Sequence, residues 1–186
     1  MSEPTDDELM VRVRDGDPEP LAVLFERYQV PLYNYFVRLC GQASTSEDLV
    51  QEVFLRVLKY KHTFKGQGQF RAWLFQIARS ARADHYRKHG REVELSEEAQ
   101  DMLTSPHPGA HDLLEDEQRA ALVRAALDRL PEAKREVLVL SRFQNLRYHE
   151  IARTLGCAEG TVKVRVHRAM KDLREQFLQL TRERVA

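Results

Sequence analysis

The stretch from Leu146 to Arg174, LRYHEIARTLGCAEGTVKVRVHRAMKDLR, constrains this chain most. Gly156 stands where a helix must stop, because glycine enters the left-handed conformation without a Cβ clash. The spacing on either side predicts two short helices joined by a tight turn, a helix-turn-helix. Ile151, Ala152 and Leu155 share the inner face of the first helix, and Val162, Val166, Ala169 and Leu173 that of the second. About 180° around the second helix from that stripe stand Gly160, Val164, His167 and Lys171, flanked by Thr161, Lys163 and Arg168. A short cationic, hydrogen-bonding face of this kind suits DNA recognition; the alternative is a small helical hairpin with a solvated charged face.

The rest of the chain limits what the motif can belong to. Its 186 residues suffice for one or two small domains, and the apolar content is that of a globular protein. Net charge is zero, yet it sums unlike segments. Residues 71–91 hold six Lys or Arg against one acid, residues 142–182 hold nine against four, and residues 92–117 hold nine acids without a Lys or Arg. No apolar run approaches the length of a membrane span, and the first residues lack the pattern of a signal peptide. A cytoplasmic location without membrane insertion is expected. Cys40 and Cys157 form no C-x-x-C and read as two reduced thiols.

From the N-terminus, Thr5 with Glu8 reads as a capping box for a helix ending near Gly16. A long amphipathic helix follows to Cys40, spanning Pro31 and closed by Gly41. Ser44 to Ser46 are expected to cap a third helix over Glu47 to Tyr60. The loop Lys61 to Gln69 precedes a fourth, Phe70 to His89. There Phe70, Trp73, Leu74, Ile77 and Ala81 share one side, and Arg71, Phe75, Arg79, Arg82 and Tyr86 the other. Arginines interleaved with aromatics suit single-stranded nucleic acid, but Phe75 and Tyr86 can equally pack on a neighbouring helix, and Trp73 reads as core. Periodicity fades over Glu92 to about Leu114, where Thr104 to His111 reads as linker. Helical spacing returns over Leu113 to Leu130 and Pro131 to Gln144. No strand alternation is present, so the expected class is all-α, with two small helical domains joined by a flexible acidic linker.

Enzyme chemistry is absent from the sequence motifs. His149 and Glu150 open an H-E-x-x-H pattern that fails at Arg153, and the pairs His85/His89 and His107/His111 lack a third metal ligand. There is no phosphate-binding loop, dinucleotide fingerprint or G-x-S-x-G. Neither enzyme activity nor a metal or cofactor is expected.

Four segments then resemble, in order, the signatures of extracytoplasmic-function sigma factors of bacterial RNA polymerase: EDLVQEVFLRV at Glu47 to Val57, FRAWLFQIAR at Phe70 to Arg79, LPEAKREVLVL at Leu130 to Leu140, and EIARTLGCAEGTVKVRVHRA at Glu150 to Ala169. The resemblance implies a region 2 domain over 1–92, a linker over 93–112 and a region 4 domain over 113–186. It implies core RNA polymerase and promoter DNA, duplex and opened, as partners, with an anti-sigma factor as inhibitor. Carried over by position, polymerase binding falls on Asp48, Gln51, Glu52 and Leu55, whose spacing forms one helical face. Minus-10 recognition falls on Lys65, Gly66, Gln67, Arg79, Ser80, Arg82 and Asp84; Ser80 stands where the family usually has Asn. Minus-35 base reading falls on Lys163, Val164 and His167, with Thr161, Arg165 and Arg168 as phosphate contacts. Val164 replaces the more usual Ser, and Arg147 replaces a capping Ser while adding a cation near the DNA path. A conventional helix-turn-helix regulator acting without core polymerase is the other functional class this pattern admits.

Overall fold

The computed structural model describes residues 3–89 and 110–185, and within them every regular element is helical. Helix α1 (Asp6–Arg14) starts at the predicted capping box: Thr5 accepts from the Glu8 backbone N–H at 3.3 Å, and Glu8 accepts from Thr5 N–H at 2.8 Å. Helix α2 (Pro20–Cys40) runs unbroken through Pro31 and ends where Gly41 turns left-handed at φ 74°. Helix α3 (Ala43–Tyr60) begins four residues before the expected Glu47. Ser46 does not cap it; its hydroxyl lies inside the first turn and donates back to Gln42 O at 2.6 Å. A single 3₁₀ turn, Lys61–Thr63, and a loop lead into α4 (Phe70–His89), whose limits are those predicted.

After the interval from 90 to 109, which lies outside the described residues and holds most of the predicted linker, the chain resumes in α5 (Ala110–Asp128). The next predicted helix divides into α6 (Glu132–Leu138) and a wider π-helical turn, Val139–Phe143. Helix α7 (Tyr148–Leu155) ends at left-handed Gly156, φ 64°, and α8 (Glu159–Val185) follows. At 27 residues α8 extends well past the expected second helix of the motif. Leu173, Phe177 and Leu180 continue its half-buried stripe, and α5 packs along it.

These helices make two bundles, α1–α4 and α5–α8, and one apolar cluster continues through both. The junction is α4. Its Leu74 and Ala78 face the first bundle's core, while α7 packs on its other side and α6 with the π-helical turn packs against α2. Phe75 is therefore fully buried, its ring edge-on to Tyr35 at 5.3 Å. It is a core side chain and offers no platform for a base. Trp73 is half-buried against Phe64, as expected for a core position.

Two stability outcomes follow from this packing. Phe36→Ala, at a fully buried position, should cost about 3–5 kcal/mol in urea unfolding, whereas Leu55→Ala, 63% exposed, should cost under about 0.5 kcal/mol. Gly156→Ala meets no atom within 4 Å but must hold φ +64°, and should cost about 1–2 kcal/mol.

Candidate nucleic-acid and polymerase interfaces

Helix α8 is seated by Val162, Val166 and Ala169, all buried. Thr161, Lys163, Val164, Arg165, His167 and Arg168 are exposed. All six predicted positions therefore lie on solvent, with Val164 49% exposed at their centre. Lys163 pairs loosely with Glu159 one turn earlier at 3.6 Å, an exposed contact of little energetic weight. Arg147, also exposed, has no side-chain cap to offer α7, as the sequence implies. Its backbone N–H nevertheless donates to Glu150 at 2.7 Å. This reciprocal half of a capping box is the structural work of the Glu in the failed metal motif.

On α3, Asp48, Gln51 and Leu55 are exposed and Glu52 is half-buried, so the four share one outward face while Leu49, Val53 and Val57 face the core. Glu52 accepts from Arg56 at 2.6 Å. Arg56 reaches on to Asp84 of α4 at 2.8 Å, and Arg87 also holds Asp84 at 2.8 Å. The Arg56 hydrogen bond keeps the Asp84 carboxyl below the ordinary aspartate range, against a small opposing effect of burial. Ser80 Oγ lies 3.4 Å from Arg56. Arg56 thus links the α3 face to the Ser80–Asp84 side of α4, a connection between residues 24 and 28 apart in sequence.

The predicted minus-10 residues fall into three places. Lys65 and Gln67 are exposed on the loop with Gly66 buried between them, and Ser80 and Asp84 lie beside Arg56. Arg79 and Arg82 lie at the junction between the bundles, Arg82 buried and Arg79 with 46% of its side chain still exposed. Arg79 Nε donates to both Glu136 oxygens, at 3.1 and 3.2 Å, and Tyr35 OH donates to the same carboxylate at 3.0 Å. Arg82 is buried and paired with Glu132. Burial works against the Arg82 charge, but Tyr35 and Glu132 outweigh it and leave its pKa raised. Burial, then the Glu136 charge, lifts Tyr35 well above the ordinary phenol range. Sequence reasoning missed Glu132, Glu136 and Arg56 as partners, since their pairing is set by tertiary contact and leaves no local periodic signal.

Further bonds close the junction. Thr154 Oγ1 donates to Ala72 O at 3.3 Å, Gln76 Nε2 donates to Arg153 O at 2.6 Å, and Arg71 donates to Gln144 O. The Arg38 guanidinium lies 4.4 Å over the Phe143 ring.

A shallow groove of about 230 Å³ lies between α3 and the end of α4, lined by Asp48, Glu52, Asp84, His85 and His89 among others. The two imidazoles stack at 4.4 Å. Among the described residues no group of three or more potential metal ligands occurs; His107 lies outside the described residues, and so does the side chain of His111. Burial, then the charge of His89, lowers the His85 pKa, against Asp48.

The comparisons with known proteins divide at the same places. The Sigma-70 region 2 family matches residues 24–92, and the Sigma-70 region 4 family matches residues 120–173. The ECF RNA polymerase sigma factor EcfG of Rhodopseudomonas palustris is 39% identical over 139 residues, covering 75% of each chain. The ECF RNA polymerase sigma factor SigE of Mycolicibacterium smegmatis is 32% identical over 179 residues, covering 93% of this chain and 69% of that one. Among solved structures, CnrH in complex with the cytosolic domain of CnrY superposes with a TM-score of 0.69 at 25% identity, over 91% of this chain and 95% of that one. The sigma factor RpoE in complex with the anti-sigma factor NepR from Bartonella quintana superposes with a TM-score of 0.60 at 28% identity, over 85% and 94%.

Two measurements check the local chemistry. Glu136→Ala leaves Tyr35 and Arg79 without their shared acceptor and should cost about 1–3 kcal/mol in urea unfolding, with Tyr35→Phe recovering part of the loss. Because the folded-state pKa of His85 is depressed, the unfolded chain binds the extra proton first, and stability falls as pH drops through the ordinary imidazole range. The thermal midpoint should decline less steeply from pH 7.5 to pH 5.5 in His85→Asn than in the unaltered chain.

Proposed function

The chain belongs to the extracytoplasmic-function RNA polymerase sigma factors, and from that premise we propose how its surfaces divide the work of transcription initiation. It directs core RNA polymerase to specific promoters and brings no covalent chemistry of its own. The α3 face of Asp48, Gln51, Glu52 and Leu55 docks on the polymerase. One rigid helical face with an apolar centre at Leu55 fits a helical partner. Helix α8 enters the major groove of the minus-35 element, with Lys163, Val164 and His167 at base edges and Thr161, Arg165 and Arg168 on phosphates. Val164 cannot hydrogen-bond a base edge and instead suits a thymine methyl. Arg147 sits where a further phosphate contact is available.

The minus-10 element is the task of the first bundle. Lys65, Gly66 and Gln67 meet unpaired non-template bases, with Ser80 and Asp84 on the adjoining shoulder of α4 and Arg79 and Arg82 on the strand's phosphates. Holding opened bases offsets the cost of unstacking them. In the packed arrangement Glu132 and Glu136 hold Arg82 and Arg79; the buried Arg82 reaches DNA only after α6 has moved off α4, whereas the exposed side of Arg79 is open to a phosphate without that movement. We assign inhibition to an anti-sigma factor, in keeping with the solved relatives that carry one, and the place of action to the cytoplasm, in keeping with the absence, among the described residues, of a helix long and apolar enough to cross a membrane.

The observation that carries this reading is the pair of outward faces, one on α3 and one on α8, each left exposed by a helix whose opposite stripe is buried. Reconstituted run-off transcription should depend on adding this chain to core polymerase. Lys163→Ala with His167→Ala should abolish promoter-specific transcripts while core binding persists; loss of core binding in that variant would contradict the division of labour. Asp48→Ala with Gln51→Ala should weaken core association in a pull-down titration by about tenfold, and unchanged affinity would remove the docking face.

A further inference from the structure

The loop ahead of α4 is held by a helix that lies outside both family-matched segments, α1. Three successive residues of that loop are left-handed: Gly66 at φ 77°, Gln67 at 71° and Gly68 at 67°. Glycine accepts this conformation freely, but Gln67 does not, and a non-glycine residue stays there only when its surroundings over-determine the backbone. The over-determination comes from Asp7. Its Oδ2 accepts from Gly68 N–H and, at 3.2 Å, from Gln69 N–H, and its Oδ1 accepts from Phe70 N–H at 3.0 Å. One carboxylate thus satisfies three successive backbone donors at the start of α4, where helical N–H groups lack internal acceptors and the helix dipole favours a negative charge.

The other end of the segment is tied to the same helix. Lys61 Nζ donates to Val13 O at 3.1 Å, and Arg14 donates to Phe64 O at 3.2 Å. Helix α1 is itself fixed: Leu9, Met10 and Val13 are buried, Arg27 donates to Asp6 at 2.8 Å, and Tyr28 OH donates to the other Asp6 oxygen. Residues 61–70 are therefore strapped at both ends to a rigid support, leaving Lys65 and Gln67 exposed between the straps.

We propose that Asp7 is a positioning residue for promoter opening: by clamping the backbone of residues 68–70 it presets the left-handed turn that presents Lys65 and Gln67 to an unpaired base. The inference rests on the reading of this loop as the minus-10 reader. A preset loop loses little conformational freedom when a base arrives, whereas a loose one must be ordered at the expense of affinity and discrimination. Asp7 acts through the loop and need not touch DNA.

The test uses holoenzyme reconstituted from core polymerase and full-length variants, titrated against fork DNA carrying an unpaired non-template minus-10 strand, in matched series with each base replaced in turn. Asp7→Ala should weaken binding to the preferred strand by about five- to tenfold and flatten the preference among bases. Core affinity and binding to a duplex minus-35 fragment should stay within about twofold. Asp7→Asn, which keeps a single carbonyl acceptor, should fall between, and it decides the matter if Asp7→Ala fails to fold. Lys65→Ala with Gln67→Ala separates the two layers of the argument. If that pair loses base preference while both Asp7 variants keep the unaltered profile, the clamp is wrong and the loop reading stands. If the pair also keeps the profile, the loop is not the reader and the proposal falls with it.

Discussion

A carboxylate removed from water must find donors, and Glu136, 5% exposed, finds them in Tyr35 of α2 and Arg79 of α4. That shared acceptor sets how the two bundles meet. Deep burial of a charge is tolerable only when hydrogen bonds replace its hydration, so neither bundle can rotate against the other without leaving Glu136 or its donors bare. One turn along α6 the roles reverse, with Arg82 buried and its partner Glu132 exposed.

Much of the fold was legible because short-range chemistry decides it. Thr5 with Glu8, Gly41 and Gly156 each settle a helix end within four residues, and the structure has the ends where those residues place them. The start of α3 was misread because the same hydroxyl can cap a helix or fold back inside its first turn, and Ser46 takes the second course. The extension of α8 was missed because its support comes from α5, far away in sequence.

The candidate interfaces were legible to different degrees for the same reason. The exposed faces of α3 and α8 follow from helical period alone, since one stripe is buried and the opposite stripe is left out. Helix α4 defeats that logic: the side read from sequence as cationic and aromatic holds Phe75 in the core, Arg82 buried against Glu132, and Arg79 paired with Glu136 while still half exposed. Asp7 was invisible for a third reason. Its partners are backbone groups 61 to 63 residues away, and no residue type marks where a backbone N–H will need an acceptor.

The glutamate pairs at the junction also bear on ionic strength. Affinity for a polyanion ordinarily falls steeply with added salt, because each neutralised phosphate sets free condensed counterions. Arg79 and Arg82 already carry carboxylates, so a phosphate reaching them exchanges one anion for another, and the liberated glutamates recruit cations from solution in return. Salt meanwhile weakens the Arg–Glu pairs that keep the bundles together. The two effects oppose each other, so on the proposed assignment of Arg79 and Arg82 to phosphates these two side chains add less to the salt dependence of binding opened DNA than their charge suggests, while the more exposed cations of α8 keep more of theirs.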